Sequence, residues 1–150
     1  MNYLLKKKED VKNVLDRLNY FHDGFIKELC LTSHDKFDSD KSQFCTGEFS
    51  LKIDFAHYNY DEGRPPFNRI IRCFFKDVKD FNFNFRNFRL ADGAITLLEI
   101  EETERCDNNY DIEVCFVLKI RFNFYQKKEN KWTEVKQTLF SFREVQLEEK

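Results

Sequence analysis

The side chains that could do chemistry in this chain are few and scattered. Its three histidines are His22, His34 and His57, and the first two are each followed by an aspartate, Asp23 and Asp35. A His-Asp pair serves as a metal ligand in phosphohydrolases. Such a site gathers further His and Asp ligands from several helices, and this sequence carries the pattern of one. Three imidazoles and a carboxylate suffice for zinc in principle. Here the spacings match no ligand pattern, and His57 falls on the apolar face of a strand pattern. Asp23 reads instead as an acceptor for local backbone N–H groups at a helix exit, with His22 packed beside it. The five cysteines, Cys30, Cys45, Cys73, Cys106 and Cys115, are odd in number and form no C-x-x-C. Cys73 and Cys115 sit within apolar strand patterns, where a cysteine acts as a small buried hydrophobe. There is no G-x-S-x-G elbow, no cysteine-nucleophile signature and no glycine-rich phosphate loop. No catalytic residue, metal or cofactor is assigned from the sequence. Scattered carboxylates remain the one route to an enzyme, because spacing does not reveal such pairs.

Two further constellations point to binding. Phe81, Phe83 and Phe85 alternate with Asn82 and Asn84 and are followed by Arg86 and Arg89. Aromatics interleaved with basic residues can stack and clamp a single strand of nucleic acid. The segment lacks the glycines of the RNA-recognition signature, and its phenylalanines share the period of a core strand. The second constellation is a segregation of charge. Residues 64–90 hold seven basic side chains against two acids, and residues 91–113 hold eight acids against Arg105 alone. In an antiparallel sheet these spans could pair and neutralise each other. The functional reading is an acidic surface facing a basic partner, since such patches speed association and select partners. On that reading Glu101, Glu102, Glu104 and Asp107 contact the partner, with Tyr58 and Tyr60 as aromatic anchors nearby.

The elements that must position these groups follow from periodicity. Val11, Val14, Leu15 and Leu18 fall at i, i+3, i+4 and i+7, which predicts a helix over 6–19. Leu4 and Leu5 extend its apolar stripe backward, and Gly24 supplies a positive-φ turn out of it. An isolated helix of this length is marginal in water, so its stripe must dock on a sheet. Strands are expected over 25–31, 49–56, 71–75, 81–85 and 95–102, followed by a long one over 112–124 and a last region over 132–147. Phe49, Leu51, Ile53 and Phe55 alternate with polar residues, the mark of a strand with one buried face. Ile112, Val114, Phe116, Leu118, Ile120, Phe122 and Phe124 alternate without a break, with Glu113, Lys119, Arg121 and Asn123 opposite. Polar loops are expected at 35–42 and 59–66, and turns at Asp92-Gly93 and Asp107-Asn108-Asn109. The connections are too short for helical crossovers, so the sheet should be antiparallel. The expected fold is α+β and mainly β: one domain over 1–150, with a helix on a curled meander of about seven strands, as a half-barrel or two-layer sandwich.

Composition narrows the setting. A chain of 150 residues buries roughly 70% of the surface its unfolded form exposes and needs no covalent staple. Aromatics at 17%, 18 of them Phe, rule out a disordered chain. The net charge of −2 argues against a non-specific nucleic-acid binder. No signal-peptide core and no run of about 18 apolar residues occurs, and the thiols read as free. A cytoplasmic protein without membrane contact is expected.

Tyr20-Phe21-His22-Asp23-Gly24-Phe25-Ile26, after a helix and before a strand, resembles the opening of several small bacterial families. In these, an aromatic-His-Asp-small stretch leads into a β-rich domain of this size. Some of them are immunity proteins, which bind and block a partner toxin. The resemblance implies a binding protein without turnover and carries over no catalytic role. The leading expectation is therefore a small protein-interaction module of the immunity-like kind that the resemblance implies, its oligomeric state left open. The alternatives are a Phe-lined barrel acting as a small-ligand binder or enzyme, and a single-stranded nucleic-acid binder using residues 81–89.

Overall fold

A computed structural model describes residues 2–5, 7–22, 24–37, 43–44, 47–59, 67–82, 95–107 and 109–150. In order along the chain the strands are β1 (Asn2–Leu5), β2 (Phe25–Ser33), β3 (Lys36–Phe37), β4 (Gln43–Phe44), β5 (Phe49–Asn59), β6 (Phe67–Lys76), β7 (Ile95–Cys106), β8 (Ile112–Gln126), β9 (Lys131–Phe142) and β10 (Glu144–Glu149). Helix α1 (Lys8–Arg17) lies between β1 and β2. All pairings are antiparallel. Eight strands form two sheets, ordered β1-β10-β6-β5-β2 and β7-β8-β9, and β3 with β4 makes a short ribbon. Among the described residues the sheets do not close into a barrel. Among the described residues no helix is long and apolar enough to cross a membrane.

Helix α1 buries Val11, Val14 and Leu15, and Leu18 is buried just beyond its end, as the periodicity requires. Glu9 and Asp10 in its first turn and Arg17 in its last complement the helix dipole. The helix starts later than expected. Leu4 and Leu5 do not extend its stripe but lie in β1, where the ladder runs Leu4↔Gln146 and Leu5↔Val145. A neighbouring strand edge satisfies their backbone groups, which a helix N-terminus leaves open.

The exit from the helix also differs from expectation. The positive φ angles fall on Asn19, Tyr20 and Phe21, in a 3-10 turn, and not on Gly24. Three left-handed residues in a row cost backbone energy. They place the Phe21 ring in the core, 4.8 Å from Phe55 and edge-on to His57 at 5.6 Å. Gly24 is needed for close approach: a Cβ there would meet the carbonyl oxygens of Ala56 and Phe21 at 2.9 Å. Its own carbonyl accepts from Ile95 N–H at 2.7 Å, joining the start of β2 to the start of β7.

Register sets the core. Leu51 pairs with Phe75 and Phe75 with Val145, while Ile53 pairs with Cys73 and Cys73 with Leu147, so rows of buried side chains cross β5, β6 and β10. The second sheet answers with Phe116, Leu118, Ile120, Phe122, Phe140 and Phe142. Phe75 meets Phe140 and Phe142 edge-on, with ring centroids 4.9 Å away in each case. The cavity left between α1 and the two sheets is only about 10 Å³, at the lower limit for a single water.

The last predicted strand region is two strands. Leu139, Phe140, Ser141 and Phe142 are buried in succession, which alternation on one covered face cannot give. A bulge opposite Leu118 and Lys119 admits Leu139 as an extra residue. At Arg143 the chain then leaves β9 and enters the other sheet as β10. The strand expected over 81–85 is not seen at Phe81 and Asn82, which are irregular, and 83–85 lie outside the described residues. So does the Asp92-Gly93 turn.

Candidate functional site

The long strand β8 and its partner β7 form a hairpin whose turn is built by Asp107. One oxygen of its side chain accepts from Asn109 N–H at 2.8 Å and Asp111 N–H at 2.9 Å, and its own N–H donates to Asp111 carbonyl at 2.7 Å. Such an aspartate turn closes a hairpin without glycine. The register beside it runs Glu102↔Phe116, Thr103↔Cys115, Glu104↔Val114, Arg105↔Glu113 and Cys106↔Ile112. Directly paired residues share a face, so the hairpin end has two contrasting sides.

The first side is clamped. The Arg105 side chain is 7% exposed and spends its donors on four acceptors: Glu113 carboxylate, Ser141 Oγ, and the Asp77 carboxylate and carbonyl, all at 2.8 Å. Ser141 Oγ donates to the Asp80 carboxylate at 3.0 Å, and Lys79 N–H donates to the Ser141 carbonyl at 2.9 Å. Arg143 lies 3.9 Å from Asp77 and 3.8 Å from Glu113, so two guanidinium groups balance two carboxylates. This network seals Cys115, whose thiol is fully buried and pushed up in pKa, chiefly by desolvation.

The opposite side is open. On β8 the even-numbered face is core from Phe116 to Phe122, but Val114 is 60% and Ile112 73% exposed. Glu102, Glu104 and Cys106 stand exposed beside them, and Tyr110 in the turn is 90% exposed. Alternation marked Ile112 and Val114 as core. The correction is that the face they share continues past the last side chain that covers it. These two residues and Tyr110 are the part of the site that sequence reasoning missed. The lone base Arg105 in an acidic run was the available signal for the clamp behind them.

The structure divides the acids expected to act together. Glu101 is on the clamped face and bonds Lys119, whose ammonium holds its carboxyl below the usual range. Glu99 meets Arg121 and Lys136, each at 3.3 Å. Asp107 is spent on the turn. Glu102 and Glu104 make no ion pair among the described residues. Among the described residues the two charged spans do not neutralise each other as a sheet pairing. Arg69, Arg72 and Lys76 pair instead with Glu149, Asp54 and Glu144, and Asp77 with Arg105 is the described exception. Tyr58 pairs with Asn68 at the end of the β5–β6 ladder remote from Lys76 and Asp77, hence away from the clamp. Its side chain and the whole of Tyr60 lie outside the described residues.

The histidines do not converge on a metal. His22 is exposed, and His34 Nε2 is 3.0 Å from Ser50 Oγ. His57 is buried on the apolar face, as its position in β5 implied, and its Nδ1 accepts from Arg69 Nε at 3.2 Å. Asp23 lies outside the described residues. Among the described residues no group of three His, Cys, Asp or Glu side chains could hold a metal ion. Four described cysteines are free thiols: Cys30 and Cys106 exposed, Cys73 and Cys115 buried. Of the proposed nucleic-acid segment only Phe81 and Asn82 are described, and the Phe81 ring stacks on Phe140 at 6.2 Å. A surface cavity of about 310 Å³ is lined by Leu31, Gly47, Phe49, Val78, Lys79, Asp80 and Phe81.

Comparison with protein-family models, with curated proteins and with solved structures finds no match to this chain.

Proposed function

We propose that this chain works by binding a basic protein partner through the open face of the β7–β8 hairpin. The observation that carries the reading is the exposure of Ile112 and Val114 directly opposite Cys106 and Glu104. Apolar side chains grouped at a surface gain free energy when a partner covers them, and flanking unpaired acids favour a partner of opposite charge. The Arg105 clamp fixes the other side of the hairpin, so little conformational freedom is lost on binding. A module that binds and blocks a partner, as the resemblance to immunity proteins implies, works by such a surface and needs no turnover. The test is affinity capture of a partner from the source cells, followed by calorimetry with the Glu102→Lys/Glu104→Lys variant. Binding should fall by at least about tenfold and weaken with salt. Unchanged affinity in a folded variant would refute the assignment.

A second reading, a small-molecule binder, is favoured by the surface cavity, whose roughly 310 Å³ reaches the range of ligand sites. Saturable binding of an apolar fluorescent probe, lost in Val78→Trp, would support it.

A further inference from the structure

Among the described residues β7 is the outer strand of its sheet. It pairs with β8 on one side. Helix α1 and the 3-10 turn at 19–21 approach β7, and among the described residues one backbone hydrogen bond reaches its other edge, Ile95 N–H to Gly24 carbonyl at 2.7 Å, in antiparallel sense. Beyond it, every second residue of β7 turns an N–H and a C=O outward. Glu102 and Glu104 are exposed on the open face, and Glu101, bonded to Lys119, and Thr103 still reach solvent on the clamped one.

We propose that the basic partner adds an extended strand to this free edge of β7, an inference that rests on the binding role argued above. Strand addition draws affinity from main-chain hydrogen bonds and specificity from the side chains that flank them. Residues 98–106 of β7 hold neither Pro nor Lys among the residues that guard a free edge. They hold acids instead. Glu102 and Glu104 lie two residues apart on one face, and a strand with Lys or Arg at alternate positions meets both. The same acids disfavour a second copy, because antiparallel self-pairing of β7 sets Glu near Glu. Chemistry therefore selects a basic extended segment as occupant.

The experiment uses the full chain and a short peptide in which Lys alternates with Val and Thr. Its control has the same sequence and charge, with every second backbone amide N-methylated. Titrations are followed by amide NMR and hydrogen exchange at low salt. The unmethylated peptide should bind at least about tenfold more tightly, the effect of losing one to two net hydrogen bonds. It should also slow exchange at every second amide of 98–106, and Glu102→Lys/Glu104→Lys should abolish both effects. Equal binding of the two peptides would overturn strand addition and leave the acidic, apolar face as a side-chain docking surface. Binding of neither would overturn both readings. Protection of the β7 amides in a dimer, without peptide, would assign the edge to a second copy and overturn the proposal.

Discussion

The guanidinium of Arg105 reaches Asp77, 28 residues earlier in the chain, and donates to its carboxylate and its carbonyl, each at 2.8 Å. Asp77 follows β6 and Arg105 belongs to β7, so this contact ties the hairpin of one sheet to the end of the other. Replacing Arg105 with Met keeps much of the packing but leaves Asp77 and Glu113 without their nearest counter-charge. These carboxylates are 20% and 18% exposed, so water takes up part of the loss. Urea denaturation should show a loss of about 3 kcal/mol, the low end of the cost of breaking a buried pair. Amide exchange over 103–115 should quicken by more than that in α1.

Gly24 offers a separate test of the corner where the sheets meet. Gly24→Ala pushes a methyl into two carbonyl oxygens, neither of them on a flexible side chain. The expected loss is about 1–3 kcal/mol, read as a lower melting temperature. A neutral substitution would mean that Gly24 does not approach the carbonyls of Ala56 and Phe21 as closely as described.

Acid sensitivity should localise in part to Asp54. This carboxylate is 5% exposed and accepts two bonds from Arg72, at 2.7 and 2.6 Å. Those bonds hold its pKa below the usual carboxylate range. A group depressed in the folded state stabilises fully above its unfolded pKa of about 3.9, and that stability is lost as pH falls through the folded value. The stability gap between the native chain and Asp54→Asn should therefore be widest near neutrality and close in acid. A gap independent of pH down to strong acid would contradict the assignment.

Thiol reactivity should divide by depth. Cys73 is buried and desolvation pushes its thiol far up in pKa, and Cys115 is raised for the same reason. The thiolate is the reacting species. Iodoacetamide on the folded chain should modify Cys30 and Cys106 and spare Cys73 and Cys115, as read by peptide mass spectrometry. Equal labelling of all four would mean that the surroundings of Cys73 and Cys115 are open.

Much of the architecture was legible in local periodicity. The stripe from Val11 to Leu18 and the alternations at 49–55 and 116–122 each recorded a buried face, and His57 was correctly placed on one. What alternation does not record is how far the opposing layer extends. Ile112 and Val114 kept the pattern of a core face beyond the point where anything covers it. The split at Arg143 was hidden because β9 and β10 have the same period, and the bulge at Leu139 is a property of pairing. β1 is too short to show a period, and Leu4 and Leu5 read as a backward extension of the helix stripe. The acidic segment was visible in composition. Its division into a neutralised Glu101, a turn-forming Asp107 and the open pair Glu102 and Glu104 depends on partners from β8 and on the turn geometry.

The account turns on which surface the partner covers, and photo-crosslinking in the source cells measures that most directly. A benzophenone amino acid is placed at position 112, at position 104 or, as a control, at position 12 on the exposed side of α1. Positions 112 and 104 should give an adduct with one and the same basic protein, and position 12 should give none. An adduct with the partner formed from position 12, with none from 112 or 104, would contradict the assignment of the hairpin face.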